Sequence, residues 1–184
     1  MKKVSASLSA LLLAGVLTQA QAAPVLQLTS PDVSEGRPLA AAQVFNGMGC
    51  TGGNQSPALN WTNLPAGTKS LAVTAYDPDA PTGSGWWHWV VVNLPASTKG
   101  LPAGAATGKG LPAGALELRT DFGQPGYGGA CPPPGHGMHR YQFTVWALSV
   151  DKLPLEASSS PAMAGFMIRQ HALGQATLTG TYAR

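Results

Sequence analysis

The apolar residues of this chain come in short runs bounded by Pro, Gly and Asn, which favours strands over long helices. Ser70 to Tyr76 (SLAVTAY) and Trp87 to Asn93 (WHWVVVN) are rich in β-branched and aromatic residues and read as strands. Tyr141 to Val150 (YQFTVWALSV) alternates, with Tyr141, Phe143, Val145 and Ala147 on one face and Thr144, Trp146 and Leu148 on the other. Apolar groups on both of its faces predict a strand buried between two layers. Ala176 to Tyr182 (ATLTGTY) reads as a final, Thr-rich strand, and Leu26–Leu28 and Leu59–Trp61 as shorter ones. The expected fold class is mainly β.

One helix is signalled. Ser160 can cap its start, Pro161 suits the first helical position, Met163, Phe166, Met167 and Leu173 supply an apolar face, and Gly174 can end it. The Met and Phe side chains are expected in the core, and His171 falls where the helix dipole favours a cation. Between Lys99 and Leu116 the sequence GLPAGA occurs twice, from Gly100 and again from Gly110. That unit is too short for a solenoid repeat and reads as loops that turn at Leu-Pro.

The chain starts Met1-Lys2-Lys3, continues through an apolar run to Leu17, and reaches a small-x-small site at Ala20-Gln21-Ala22. This pattern predicts a signal peptide over 1–22 and one domain over 23–184, in the periplasm or outside the cell. No later stretch approaches the roughly 18 apolar residues of a transmembrane helix. The formal charge of +3 shrinks once Lys2 and Lys3 are removed, and no basic stripe exists, which argues against nucleic-acid binding. Cys50 and Cys131 are the only cysteines, and in an oxidising compartment they are expected to pair. Both adjoin glycines, so the bridge would pin two flexible loops.

Most of the unusual chemistry lies in two segments: Asp77 to Trp89 (DPDAPTGSGWWHW) and Tyr127 to Tyr141 (YGGACPPPGHGMHRY). In the first, Asp77 follows an apolar strand, and Pro78 and Pro81 restrict the backbone around Asp79. Strand alternation would place Trp86 and His88 on one face and Trp87 and Trp89 on the other. In the second, Gly128 and Gly129 can turn backbone amides toward an anion. His139 and Tyr141 should share a face; Arg140 should point away and pair with a carboxylate, Asp77 or Asp121. His136, between two glycines, reads as an exposed loop-tip residue without a role.

The run Asp77-Pro78-Asp79-Ala80-Pro81, followed by Trp86-Trp87-His88, Gly129 and Gly137-Met138-His139-Arg140-Tyr141, resembles the phosphatidylethanolamine-binding protein family, also called the Raf kinase inhibitor protein family. The likeness is to its short bacterial branch. It extends from about Val25 to the C-terminus and includes FNGMGC at Phe45 to Cys50 and GYGGACPP at Gly126 to Pro133. It implies an antiparallel β-sandwich, with a large central sheet, a smaller sheet and a few short peripheral helices. A small anion-binding pocket at one end is also implied, with Asp77, Pro81, Trp86, His88, Gly129, His139 and Tyr141 as ligand-binding residues. Asp79 and Arg140 would support it. Cys131 stands where eukaryotic members have glycine, so one wall should differ here.

Imidazole N–H groups, a phenol and glycine amides suit a phosphate, a phosphoethanolamine head group or another phosphorylated group. The expected function is an exported anion-binding module that inhibits or modulates a protein target such as a kinase or protease. No cofactor is expected, and exposed aromatic and Pro-rich loops leave room for a homodimer. The alternative is a hydrolase using Asp77, His88 and His139 in the same pocket, with Cys131 as a thiol nucleophile beside His139. A metal site from His88, His136, His139 and an Asp has too few ligands at recognisable spacing, so no metal is expected.

Overall fold

The structure, a computed structural model, describes residues 25–107 and 110–184; the expected signal peptide lies outside them. Among the described residues ten strands form: β1 (Gln27–Thr29), β2 (Asn46–Gly47), β3 (Cys50–Thr51), β4 (Leu59–Thr62), β5 (Ser70–Asp77), β6 (Trp86–Pro95), β7 (Gly100–Leu101), β8 (Leu116–Glu117), β9 (His139–Leu148) and β10 (Ala172–Tyr182). One α-helix, α1 (Pro161–His171), and two short 3-10 turns accompany them. The strands pair antiparallel in a five-stranded sheet ordered β10-β9-β5-β6-β8, a three-stranded sheet ordered β1-β4-β7, and a β2-β3 ribbon. This is the mainly β architecture expected from the strand pattern.

The central sheet is buried on both faces, as the alternation of β9 predicted. Its inner face (Val73, Ala75, Trp89, Val91, Tyr141, Phe143 and Val145) packs with Leu59 and Trp61 of the smaller sheet. Its outer face (Ala72, Val90, Val92, Trp146 and Leu148) packs beneath Ala164 and Ile168 of α1 and Leu153. A sheet covered on both sides can carry near-continuous apolar strands, which explains WHWVVVN.

Alternation fails in β6. Tyr76 pairs with Trp87 and Ala75 with Trp89, so His88 is an extra residue opposite β5, a β-bulge. The bulge sends Trp87 to the helix-covered face and Trp89 to the inner core, not to one shared face.

The helix also differs from expectation. Ser160 does cap it, its hydroxyl accepting from the Met163 amide at 3.2 Å, and Pro161 is the first helical residue. The buried face, however, is Pro161, Ala164, Gly165 and Ile168, while Met163, Phe166 and Leu173 are exposed. Small residues face the sheet because Trp87 and Trp146 already fill that layer; a Cβ on Gly165 would lie 3.2 Å from the Trp87 ring. Gly174 does not end the helix. The strand β10 begins at Ala172, and Gly174 sits at its register shift, with Pro65 close by. His171 closes the helix by accepting from Ser149 through its carbonyl oxygen.

Candidate functional site

Antiparallel pairing brings the two motif segments together. Asp77 is the last residue of β5, Trp86 the first of β6 and His139 the first of β9, so all three fall at the same end of the central sheet. Asp77, Pro81, Trp86, His88, His139 and Tyr141 line one hollow of about 170 Å³. Phe122, Met48 and the Cys131-Pro132-Pro133 segment complete it. A wider groove of about 520 Å³ runs along Tyr76, Trp87, Arg119 and Arg169, but its charged groups are surface residues rather than buried, convergent ones.

The polar groups of the hollow are fixed by specific bonds. Asp77 Oδ1 accepts from the Asp79 amide at 2.8 Å, a turn that Pro78 favours. Asp77 Oδ2 lies 2.7 Å from His139 Nδ1; both side chains are almost fully buried, and a carboxylate acceptor places the proton on Nδ1. The same logic sets His88. Its Nδ1–H donates to the Gly128 carbonyl at 2.7 Å, and the Gly128 amide donates back to the His88 carbonyl at 2.8 Å. Burial pushes His88 below the ordinary imidazole range, outweighing the Gly128 carbonyl and the Asp77 charge, which favour the protonated form. At neutral pH its Nε2 therefore carries a lone pair, not a proton.

The hydroxyl of Tyr141 is buried and, among the described residues, finds no acceptor for its proton, although the Cys131 backbone approaches it. Burial, reinforced by Asp77, pushes its phenol well above the usual range, so it remains a donor. Its ring meets His88 edge-on at 5.1 Å. Phe122 stands edge-on to both Trp86 and His88 at 5.4 Å, giving an aromatic wall.

Several expected details are corrected. Gly129 does not line the hollow: its amide donates to Asn54 Oδ1 at 2.8 Å, and a Cβ there would lie 2.4 Å from the Gln43 carbonyl. With the Gly128 amide also engaged, neither glycine offers an anion nest. Arg140 pairs with neither Asp77 nor Asp121. Its guanidinium makes a bidentate contact with Asp79, Nη2 to Oδ1 at 2.7 Å and Nε to Oδ2 at 2.9 Å. Arg140 thereby holds the Asp79 carboxyl down to about 2, and its backbone amide adds a third bond at 2.9 Å. Asp121 instead accepts from the Trp87 amide at 2.7 Å. His136 is exposed but not idle, since its Nδ1 sits 2.8 Å from His139 Nε2.

Cys50 and Cys131 form a disulfide with their Cα atoms 6.0 Å apart, tying the β2-β3 ribbon to the wall of the hollow. Arg184 braces the same region, donating to the Pro132 carbonyl at 3.1 Å and to Met48 O at 3.3 Å. Among the described residues, no three His, Cys, Asp or Glu side chains are grouped to hold a metal ion. Asn54, Phe122 and His136 were missed as site residues because they stand in irregular segments without periodicity. Only the His136-x-x-His139 spacing hinted at one of them.

Fold and site together describe a two-layer β-sandwich with a small, mostly apolar end pocket and a few buried polar groups, the shape of a ligand-binding protein. The profile of the phosphatidylethanolamine-binding protein family matches residues 29–183, and the chain belongs to that family. It is 51% identical over 172 residues to UPF0098 protein YbcL of Escherichia coli K12, covering 92% of this chain and 93% of YbcL. Against YbhB of the same strain, identity is 52% over 159 residues, covering 86% of this chain and 100% of YbhB. The crystal structure of YbcL, described as a new member of the mammalian PEBP family, superposes with a TM-score of 0.86 at 50% identity over 88% of this chain and 99% of that one. The putative lipoprotein LppC of Mycobacterium tuberculosis is 37% identical over 165 residues, covering 90% of this chain and 76% of LppC.

Proposed function

We propose that the protein is an exported binding module that takes a small tetrahedral anion, phosphate or the phosphate of a phosphoethanolamine head group, in the hollow of Asp77, Pro81, Trp86, His88, His139 and Tyr141. One observation carries this reading: the Tyr141 hydroxyl is a buried donor that no acceptor among the described residues satisfies. Leaving such a group unpaired costs about 1–3 kcal/mol, which a bound oxyanion would recover. The apolar walls exclude water and strengthen that bond.

His88 makes the binding proton-linked. Its neutral Nε2 offers a lone pair, so an anion must either bring its own acidic O–H or bind together with a proton taken up by the ring. Affinity is then expected to rise as pH falls. Asp77 stays compatible with an anion because its two oxygens are occupied by Asp79 and His139.

The hydrolase alternative is left with His88 Nε2 as its base, and the other reactive groups are occupied. Cys131 is oxidised in the disulfide, the Thr82 hydroxyl donates to the Gly85 carbonyl, and both ring nitrogens of His139 are engaged. For a protein target such as a kinase or protease, the contact would fall at the pocket mouth, where Met48 is exposed. Export is supported by the leader pattern ending at Ala22 and by the naming of LppC as a putative lipoprotein. Intact mass of the secreted protein tests it, with a start at Ala23 expected.

The decisive binding test is Tyr141→Phe. It should weaken phosphate and phosphoethanolamine binding by roughly tenfold or more, one charge-assisted hydrogen bond. It should also leave the fold as stable as before, or slightly more so, because an unsatisfied buried group is removed. Calorimetric titration beside thermal unfolding reads both. Unchanged affinity would sink the anion pocket.

A further inference from the structure

His139 is 1% exposed, yet neither of its nitrogens faces the hollow unpartnered. Nδ1 is committed to Asp77 Oδ2 at 2.7 Å and Nε2 to His136 Nδ1 at 2.8 Å. The second contact joins a buried ring to an exposed one, and one of the two facing nitrogens must hold the proton while the other holds the lone pair. His136 stands between Gly135 at φ +72° and Gly137 at φ +95°, and nothing lies within 4 Å of where a Cβ on either glycine would be. Backbone bonds fix the base of this tip, Gly135 N–H to the Arg184 carbonyl at 2.9 Å and His136 N–H to the Pro133 carbonyl at 3.2 Å. The His136 ring can therefore turn away while the loop stays in place.

Resting on the anion-pocket reading above, we propose that His136 is a positioning residue that caps His139 Nε2 in the empty pocket and yields that nitrogen to an incoming oxyanion. With the cap in place, the Tyr141 hydroxyl and a protonated His88 are left for an anion. With the cap withdrawn, His139 Nε2, its Nδ1–H held by Asp77, offers a lone pair that accepts an O–H carried by the anion.

The tautomer sets the direction of the cap. Asp77 keeps the His139 proton on Nδ1, so His136 Nδ1–H donates to His139 Nε2 across 2.8 Å. His136 is the exposed ring of the pair and is the one free to leave.

The test compares the protein with His136→Ala and His136→Asn at one near-neutral pH, titrated with inorganic phosphate, which carries an O–H, and with sulfate, which does not. His136→Ala should bind phosphate about three- to tenfold more tightly than the unaltered protein, the scale of one net hydrogen bond, and sulfate no more tightly. His136→Asn keeps an amide N–H over His139 Nε2 and should match the unaltered protein with both anions. If the unaltered protein binds phosphate and His136→Ala gains nothing for it, or gains equally for sulfate, the cap is wrong while the pocket stands. If no variant binds phosphate or sulfate, the pocket reading falls, and the cap with it.

Discussion

The two walls of the hollow are built by opposite means. One consists of strand ends: Asp77, His88, His139 and Tyr141 are held by the ladders of β5, β6 and β9, and each is almost fully buried. The other is loop, Cys131 to Pro134 with the tip at His136, and no ladder supports it. It is held instead by the disulfide, by Arg184, and by the bonds of Gly128 to His88 and Gly129 to Asn54. The strand wall carries the chemistry, and the loop wall sets the size of the opening. Position in the sheet gives rigidity to the first, whereas the second depends on a handful of separable bonds.

The sharpest way to break this contrast is to cut the bridge. Replacing Cys50 and Cys131 by Ser frees a span of 81 residues. By chain entropy this should cost up to about 4–5 kcal/mol, seen as a large fall in thermal midpoint. Hydrogen exchange should speed up at residues 131–138 far more than in β5 and β9; equal loosening of both would mean that the walls are not independent. Next in size, Gly129→Ala drives a methyl against the Gln43 and Phe45 backbone and should destabilise by about 1–3 kcal/mol, measured by denaturant unfolding. A neutral result would show that the loop wall has room to retreat.

The smallest effect falls on the strand wall. Since the folded protein holds His88 below its ordinary range, the unfolded chain binds that proton more readily. This contribution to stability is whole above the unfolded imidazole range, near pH 6.5, and is lost as pH falls below it. Thermal unfolding should show a loss on acidification that phosphate partly restores and that His88→Ala, already destabilised, no longer shows.

What the sequence revealed divides along the same line. The strands of the central sheet could be read from apolar runs, and the meeting of Asp77, His88 and His139 from the likeness of the two motif segments to a known family. The pairing of Cys50 with Cys131 followed from compartment and count. What could not be read depended on third parties. The faces of Trp87 and Trp89 depend on a bulge that only pairing with β5 reveals. The buried side of α1 was misjudged because Met163 and Phe166 look like core, whereas the space beneath the helix was already taken by indole rings. Arg140 chose Asp79 because that carboxylate accepts from both its backbone and its side chain, a geometry that spacing does not encode. His136 was set aside for its glycine neighbours, the very residues that let it reach His139.

The bond between Cys50 and Cys131 has a consequence for when the protein becomes competent. It joins segments synthesised far apart, so the rim of the cavity is completed only after both thiols have emerged and been oxidised. A copy retained among reducing agents would keep its sheet and its histidines but have a slack rim. Oxidation would thus come between a folded chain and one whose cavity has its full rim.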